Sequence, residues 1–303
     1  MLGSSAVTGP ILVTGAQGFV GRHLLARLGS SAHPFDVDVT DAKAFARALA
    51  GVEPRAVVHL AALSSVGASW DQAGETWRVN AVGTVNVLAA ARAEAPGCRV
   101  LVASTGEVYG RAGRVPTPED ESLEPLSPYA ASKVAAEVAC DQARRAGLDV
   151  VVARSFQQEG PGRDERFAIG SWAAQIARAE EAGGGTVRVG DLSAKRDIID
   201  VRDVCRAYEL LLDSAVPGGT YNVAGGHAVE MRQVLELLVG LANAPIEVER
   251  DPTRNRPSDL LLVCGDASRL RDATGWEPMI PLEQTLADTL SAARRATTRM
   301  ARA

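Results

Sequence analysis

Along this chain, short runs of aliphatic residues recur at intervals, and the stretches between them carry apolar positions at helical spacing. Ile11–Thr14, Ala56–Leu60, Cys98–Ser104 and Val150–Arg154 are nearly continuous apolar runs, the pattern of parallel strands buried on both faces. Between them Phe19, Val20, Leu24, Leu25 and Leu28 keep a helical period. Thr40 or Asp41 can open a helix carrying Phe45 and Leu49, and Glu75–Ala90 and the stretch from Tyr129 through Ala139 also read as helices. Strand and helix in alternation predict an α/β fold, a Rossmann-like doubly wound parallel sheet. The second strand is hard to find: His33–Asp41 is compressed, and Pro34 fits only a sheet edge or a strand start.

Beyond residue 155 the composition shifts toward polar loops and glycine. Gly160-Pro-Gly162 precedes a helix over Phe167–Glu181 and a break at Gly183–Gly185. Val187–Val189, Thr220–Val223 and Ile246–Val248 read as short strands, Ile198–Val201 and Leu260–Val263 are further short apolar runs, and Asp203–Leu212, Met231–Leu241 and Leu282–Leu290 read as helices. Arg294–Ala303 reads as a frayed basic tail, and the first nine residues as a disordered lead-in. The expected organisation is a sheet domain over 1–155, with returning segments near 195–225, and a smaller C-terminal α/β substrate domain made mainly from 156–303.

The turn after the first strand carries the first candidate chemistry. Gly15, Gly18 and Gly21 stand in G-x-x-G-x-x-G spacing between strand and helix. A tight turn, a close backbone approach to a pyrophosphate and close helix–strand packing each call for a residue without Cβ. The open N–H groups of the helix would face the phosphates. Phe19 and Val20 start that helix, and Leu60, Ala61 and Ala62 end the next strand at the ligand-facing edge, so all are expected against a nicotinamide dinucleotide. Asp36, with Asp38 beside it, is the candidate for the adenosine ribose hydroxyls, which leaves NADH and NADPH both open. Asn80, inside a predicted helix, is either a structural amide or a cofactor-side group. His59 is either a satisfied strand-end histidine or functional.

Tyr129 and Lys133 are four residues apart and share a helix face. A neighbouring ammonium favours the phenolate of a tyrosine that otherwise titrates near ~10. Thr105, in the strand-end sequence Ser104-Thr-Gly-Glu107, could add a hydroxyl to the same carbonyl oxygen. In the second half, arginines at 154, 188, 196, 254 and 256 suit a diphosphate, because guanidinium matches phosphate oxygens bidentately. The polar stretch Arg111–Leu126 reads as cover for a pocket.

Net charge is −5, from 32 basic and 37 acidic residues with both signs scattered, so neither a nucleic-acid nor a membrane-surface footprint is expected. The four cysteines form no C-x-x-C pair and there are only four histidines, which argues against a metal cluster and for buried thiols in a reducing, cytoplasmic setting. No long charge-free apolar run suggests a membrane span.

Gly15–Gly21, Ser104–Gly110, Tyr129–Lys133 and Asn80-x-x-Gly83-Thr84-x-Asn86 together resemble the extended short-chain dehydrogenase/reductases, the NAD-dependent epimerase/dehydratase family, that act on nucleotide sugars. Arg154-Ser-Phe156, Gly160-Pro-Gly162, Val189-Gly-Asp-Leu192, Arg196–Asp203, Tyr221-Asn-Val223, Asp251–Pro257 and Thr274-Gly-Trp276 are similar to the GDP-mannose 4,6-dehydratases and, more closely, the GDP-6-deoxy-D-mannose reductases of that family. The resemblance implies a sheet of about seven strands and a homodimer through the Tyr129 helix and its neighbour. It also implies Thr105, Tyr129 and Lys133 as the catalytic set, and Ser64, Ser104, Arg154, Gln157, Arg188, Arg196, Arg254 and Arg256 on the substrate side. The implied reaction is NAD(P)H-dependent reduction of the C4 ketone of a 4-keto-6-deoxy sugar, giving GDP-D-rhamnose or a close analogue. Glu107 stands where the dehydratases keep a C5 base, so a 4,6-dehydratase or a 4-epimerase is the rival reading, and a non-catalytic dinucleotide-binding regulator the rival from another class. Gln157 stands where relatives usually have Asn, and Gly106 where many dehydratases have a polar residue.

Overall fold

The computed structural model of the chain describes residues 9–254 and 260–301; most of the expected lead-in, and Arg256, lie outside them. Six strands form one parallel sheet: β1 (Ile11–Thr14), β2 (Ala32–Pro34), β3 (Ala56–His59), β4 (Arg99–Thr105), β5 (Val150–Ser155) and β6 (Gly219–Val223). Across the sheet the order is β6-β5-β4-β3-β1-β2. The chain therefore reverses direction between β1 and β3, and the crevice beyond the carboxyl ends of those strands is where an open α/β sheet receives its ligand.

Helices α1 (Phe19–Leu28), α2 (Ala42–Leu49), α3 (Gly83–Glu94) and α4 (Pro128–Arg145) belong to the first half. The second half adds α5 (Ala168–Glu181), α6 (Val201–Leu211), α7 (Met231–Gly240) and α8 (Leu282–Ala301). Successive strand residues face opposite sides, and the core divides accordingly. Ile11, Val13, Val58, Leu101 and Val151 pack with Leu24 of α1 and Val204 and Tyr208 of α6. Leu12, Val57, Val100 and Val152 pack with Phe45 of α2, Val87 of α3 and Cys140 of α4. A third core joins Ile169, Trp172 and Ile176 of α5 to Val234 and Leu238 of α7 and Leu286 and Leu290 of α8.

Three expectations are corrected. Among the described residues the sheet has six strands rather than about seven. The segment between α1 and α2 forms the three-residue edge strand β2, after which Asp38 accepts hydrogen bonds from the Thr40 N–H and hydroxyl and turns the chain into α2. Glu75–Ala90 is not one regular helix: a helix over Ala73–Trp77 runs into a wide turn over Arg78–Val82 before α3 begins. The supposed basic tail from Arg294 is helical to Ala301, and the Arg294 guanidinium pairs with Glu180 of α5 at 2.6 Å.

Candidate active site

The glycine turn is a cradle made of backbone. Gly15 has φ +65°, and a Cβ there would sit 2.7 Å from the Ala61 nitrogen, while one on Gly21 would sit 2.5 Å from the Gly15 carbonyl. Gly18, just before α1, gives the helix no side-chain cap, leaving its first N–H groups open toward the cleft. Such a surface fits a dinucleotide pyrophosphate and leaves no room for side chains.

Beneath it, one chain of hydrogen bonds fixes the two strand ends. The Thr14 hydroxyl oxygen accepts from the Leu60 and Ala61 N–H groups, both at 3.2 Å, so its own proton goes to His59 Nδ1 at 2.9 Å. His59 Nε2 then donates to the Thr84 hydroxyl at 3.1 Å, which donates to the Asn80 carbonyl at 2.6 Å. Burial, helped by the Lys133 charge, holds the His59 pKa down at about 3, so the ring stays neutral and structural. Of the two roles open to Asn80, the structural one has its partners in place: its Oδ1 accepts from the Leu63 N–H at 2.8 Å, and its Nδ2 donates to the Leu63 carbonyl and to Ser132 Oγ. This pull on one side chain coincides with the wide turn before α3.

The cradle opens into a cleft of about 550 Å³ between the sheet edge and the second-half elements. α4 starts at its rim because Ser127 caps the Ala130 N–H, at 3.1 Å, and Pro128 takes the first turn. Tyr129 in that turn and Lys133 one turn on both line the cleft, with Thr105, Glu107 and Ser104 at the end of β4. The Tyr129 phenol is hydrogen bonded with the Thr105 side chain, yet burial pushes its pKa up to about 12, and the Glu107 charge adds to this. Burial thus favours the phenol form of Tyr129, which suits it to giving a proton rather than taking one. Lys133 donates to the Ala103 carbonyl at 2.8 Å, and burial brings its pKa down to about 8 against the pull of Glu137. A Cβ at Gly106 would sit 2.9 Å from the Phe156 ring, which explains the glycine there.

The cleft wall includes Gly15, Gly18, Phe19, Val20, Gly21, Leu60, Ala62, Ser64, Gln157, Arg196 and Arg254 from the predicted set. Other predicted residues lie elsewhere. Ala61 contributes its backbone to the cradle floor. Asp36 is exposed beside the glycine turn, accepting from Gln17 Nε2 at 3.4 Å, and Asp38 is used by the Thr40 turn. Strand alternation turns Arg154 away from the cleft and onto α4, where it pairs with Glu137 at 2.6 Å and donates to the Tyr109 hydroxyl at 2.8 Å. Ser104, although at the cleft wall, gives its hydroxyl proton to that same carboxylate. Arg188 points outward, 61% exposed, toward Glu249 at 3.3 Å, while its neighbours Val187 and Val189 are buried. Arg196 donates to the Leu260 carbonyl at 2.6 Å, and Arg254 lies 3.4 Å from Ser171 Oγ.

Glu159, Arg163, Arg166, Phe167 and Ser171 also line the cleft, and sequence reasoning missed them. The Gly160-Pro-Gly162 stretch among them was the available signal; a charged pair buried beside it has no sequence signature.

The comparisons with known proteins agree with this geometry. A family model described as GDP-mannose 4,6 dehydratase matches residues 29–289. The chain is 36% identical over 296 residues to the GDP-6-deoxy-D-mannose reductase of Pseudomonas aeruginosa, covering 94% of this chain and 97% of the relative. It is 33% identical over 305 residues to a UDP-glucose 4-epimerase of Mycolicibacterium smegmatis, covering 92% and 96%. A solved structure of RMD from Pseudomonas aeruginosa complexed with NADPH aligns with a TM-score of 0.86 at 35% identity, covering 95% of this chain and all of that one. With its sheet, glycine cradle and Tyr129–Lys133 pair in these positions, the chain belongs to the GDP-mannose 4,6 dehydratase family of extended short-chain dehydrogenase/reductases.

Proposed function

We propose that this chain is an NAD(P)H-dependent reductase of the C4 ketone of a nucleotide 4-keto-6-deoxy sugar, with a GDP-linked 4-keto-6-deoxy-mannose as substrate and GDP-D-rhamnose as product. The carrying observation is the placement of the buried Tyr129 phenol, hydrogen bonded with Thr105 and one helical turn from Lys133, at the mouth of the glycine cradle. The bound nicotinamide supplies the hydride that reduces C4. Tyr129 gives its proton to the C4 oxygen, and Thr105 donates to the same atom as charge develops there. Lys133 stabilises the phenolate that remains. Gly15, Gly18 and Gly21 hold the pyrophosphate, with Asp36 at the adenosine end. Arg196 and Arg254, on the opposite wall, hold the nucleotide diphosphate, with Gln157 and Ser64 nearer the sugar.

Glu107 supports a second reading. It lines the cleft and its charge acts on Tyr129, so a redox-neutral dehydratase using it as the C5 base is the rival. The two separate on stoichiometry. Incubation with the GDP-4-keto-6-deoxy sugar and each reduced nicotinamide is expected to consume one reductant per product, followed by nicotinamide absorbance. Conversion of GDP-mannose to a 4-keto product without added reductant, and no consumption in the first assay, would replace the reductase reading. The protein acts in the cytoplasm as a homodimer, paired through the helices that leave Trp70, Trp77 and Val138 at 50%, 43% and 63% exposure. Sedimentation of a monomer at working concentration would contradict the dimer.

A further inference from the structure

Gln157 and Glu159 lie two apart on the short strand Gln157–Glu159, which pairs in parallel with Ile198–Asp200, so they share one face, and both line the cleft. Glu159 is 1% exposed. Its Oε1 accepts a hydrogen bond from Gln157 Nε2 at 3.2 Å, whereas its Oε2 has no hydrogen-bond partner among the described residues. The nearest cation is Arg163, whose Nε lies 3.5 Å from Oε2 and is itself without a hydrogen-bond partner. Arg163 is held by rings instead: its guanidinium carbon lies 3.6 Å from the Phe167 ring centre and 4.9 Å from that of Phe19. The pair therefore balances charge across the gap without satisfying the carboxylate's lone pairs. Burial pushes the Glu159 pKa up and that of Arg163 down, and their mutual attraction opposes both shifts.

A buried acceptor left open is costly unless a ligand supplies a donor. The donor must be small and neutral. A phosphate brings only like charge to a carboxylate, and a further cation would crowd Arg163. The position narrows the choice again. Arg163 is close enough for its charge to act on Tyr129, while Phe167 starts the segment that leads to Ser171 and Arg254. The pair thus links the Tyr129 side of the cleft to the arginine side, where the proposed reading puts the hexose.

We infer that the Glu159 carboxylate, braced by Gln157 and Arg163, accepts a hydrogen bond from a ring hydroxyl of the sugar and so reads the hexose rather than the nucleotide. This rests on the proposed reading of the cleft as a nucleotide-sugar site. It also gives the Gln157 departure a purpose, since the amide at this position reaches Glu159 and fixes which oxygen stays open.

The test is calorimetric and needs no turnover. The full chain, saturated with NADP+, is titrated with GDP and GDP-mannose and then with UDP and UDP-glucose, as wild type, Glu159→Ala and Glu159→Gln. The readout is the affinity ratio of sugar nucleotide to free nucleotide within whichever pair binds. Wild type is expected to favour the sugar nucleotide, Ala to lower the ratio about 10- to 100-fold, and Gln to lower it less, because a neutral amide oxygen still accepts. Affinities for free nucleotide and NADP+ should stay unchanged in both variants, and Gln keeps the side-chain volume should Ala fail to fold. An unchanged ratio, or an equal loss for free nucleotide, would make Glu159 a structural residue and overturn the inference. A loss confined to NADP+ would do the same by naming the nicotinamide carboxamide as the donor. Failure of the reductase reading would show separately, as normal ligand binding with no consumption of reductant.

Discussion

The two walls of the cleft are built on different principles. On the sheet side the ligand surface is backbone: Gly15 and Gly21 leave no space for a Cβ, and the open end of α1 faces the gap. On the second-half side it is side chains, and these are already engaged. Arg254 pairs with Asp251 at 3.3 Å, Arg196 bonds the Leu260 carbonyl, and Arg163 lies over aromatic rings beside Glu159. The first wall is preorganised for a constant cofactor. On the proposed reading, the second positions groups that a variable substrate would recruit from existing partners. A change on the first wall should therefore remove rate or binding outright, and a change on the second should alter selectivity.

Tyr129→Phe gives the largest expected effect. Loss of the proton donor should lower kcat by ~10²–10⁴-fold while the dissociation constant for NADPH holds; an unchanged kcat in single-turnover assays would remove Tyr129 from the mechanism. Arg154→Met comes next and tests the frame behind the first wall. It leaves the Glu137 carboxylate buried with the Ser104 hydroxyl and the Lys133 charge against it but no paired guanidinium, so unfolding free energy should fall by ~3–5 kcal/mol in denaturant titration. A change under ~1 kcal/mol would mean that Glu137 finds water or protonates cheaply.

The pH profile sharpens the account of the Tyr129–Lys133 pair. A lysine loses its charge as pH rises through its pKa, here about 8, while Tyr129, at about 12, keeps its proton throughout. Reduction should hold level at neutral pH and fall about tenfold per unit well above that lysine value. A falling limb on the acid side alone would point to a different group. The smallest effect is expected at Asp36, which stands exposed beside Gln17 of the glycine turn. Its charge opposes a 2′-phosphate, so Asp36→Asn should raise the NADPH-to-NADH ratio of kcat/KM by a few-fold, on the order of one screened charge contact; an unchanged ratio would place the adenosine ribose elsewhere.

The same contrast governs how far the sequence could be read. Strand runs such as Val150–Arg154 and the three glycines are local patterns, and they led to β5 and the cradle with small boundary shifts. Tyr129 and Lys133 were legible because helical spacing alone puts them on one face. Asn80 was not decidable, since the choice between bonding Leu63 and facing a cofactor depends on a segment 17 residues away. Arg154 and Arg188 were misplaced for a shared reason: counting arginines ignores strand alternation, which sends one into α4 and the other to the surface. Glu159 and Arg163 went unnoticed because their interest lies in a bond they do not make.

The central claim, that Tyr129 protonates C4 as hydride arrives from an added reductant, has one direct test. The protein is given the GDP-4-keto-6-deoxy sugar with nicotinamide deuterated at the transferring position of C4, and the product is read by proton NMR. The account predicts one deuterium at sugar C4 and none at C5 or C6. Product carrying no deuterium, or deuterium at C6, would contradict it and assign the chemistry to a dehydratase working through Glu107.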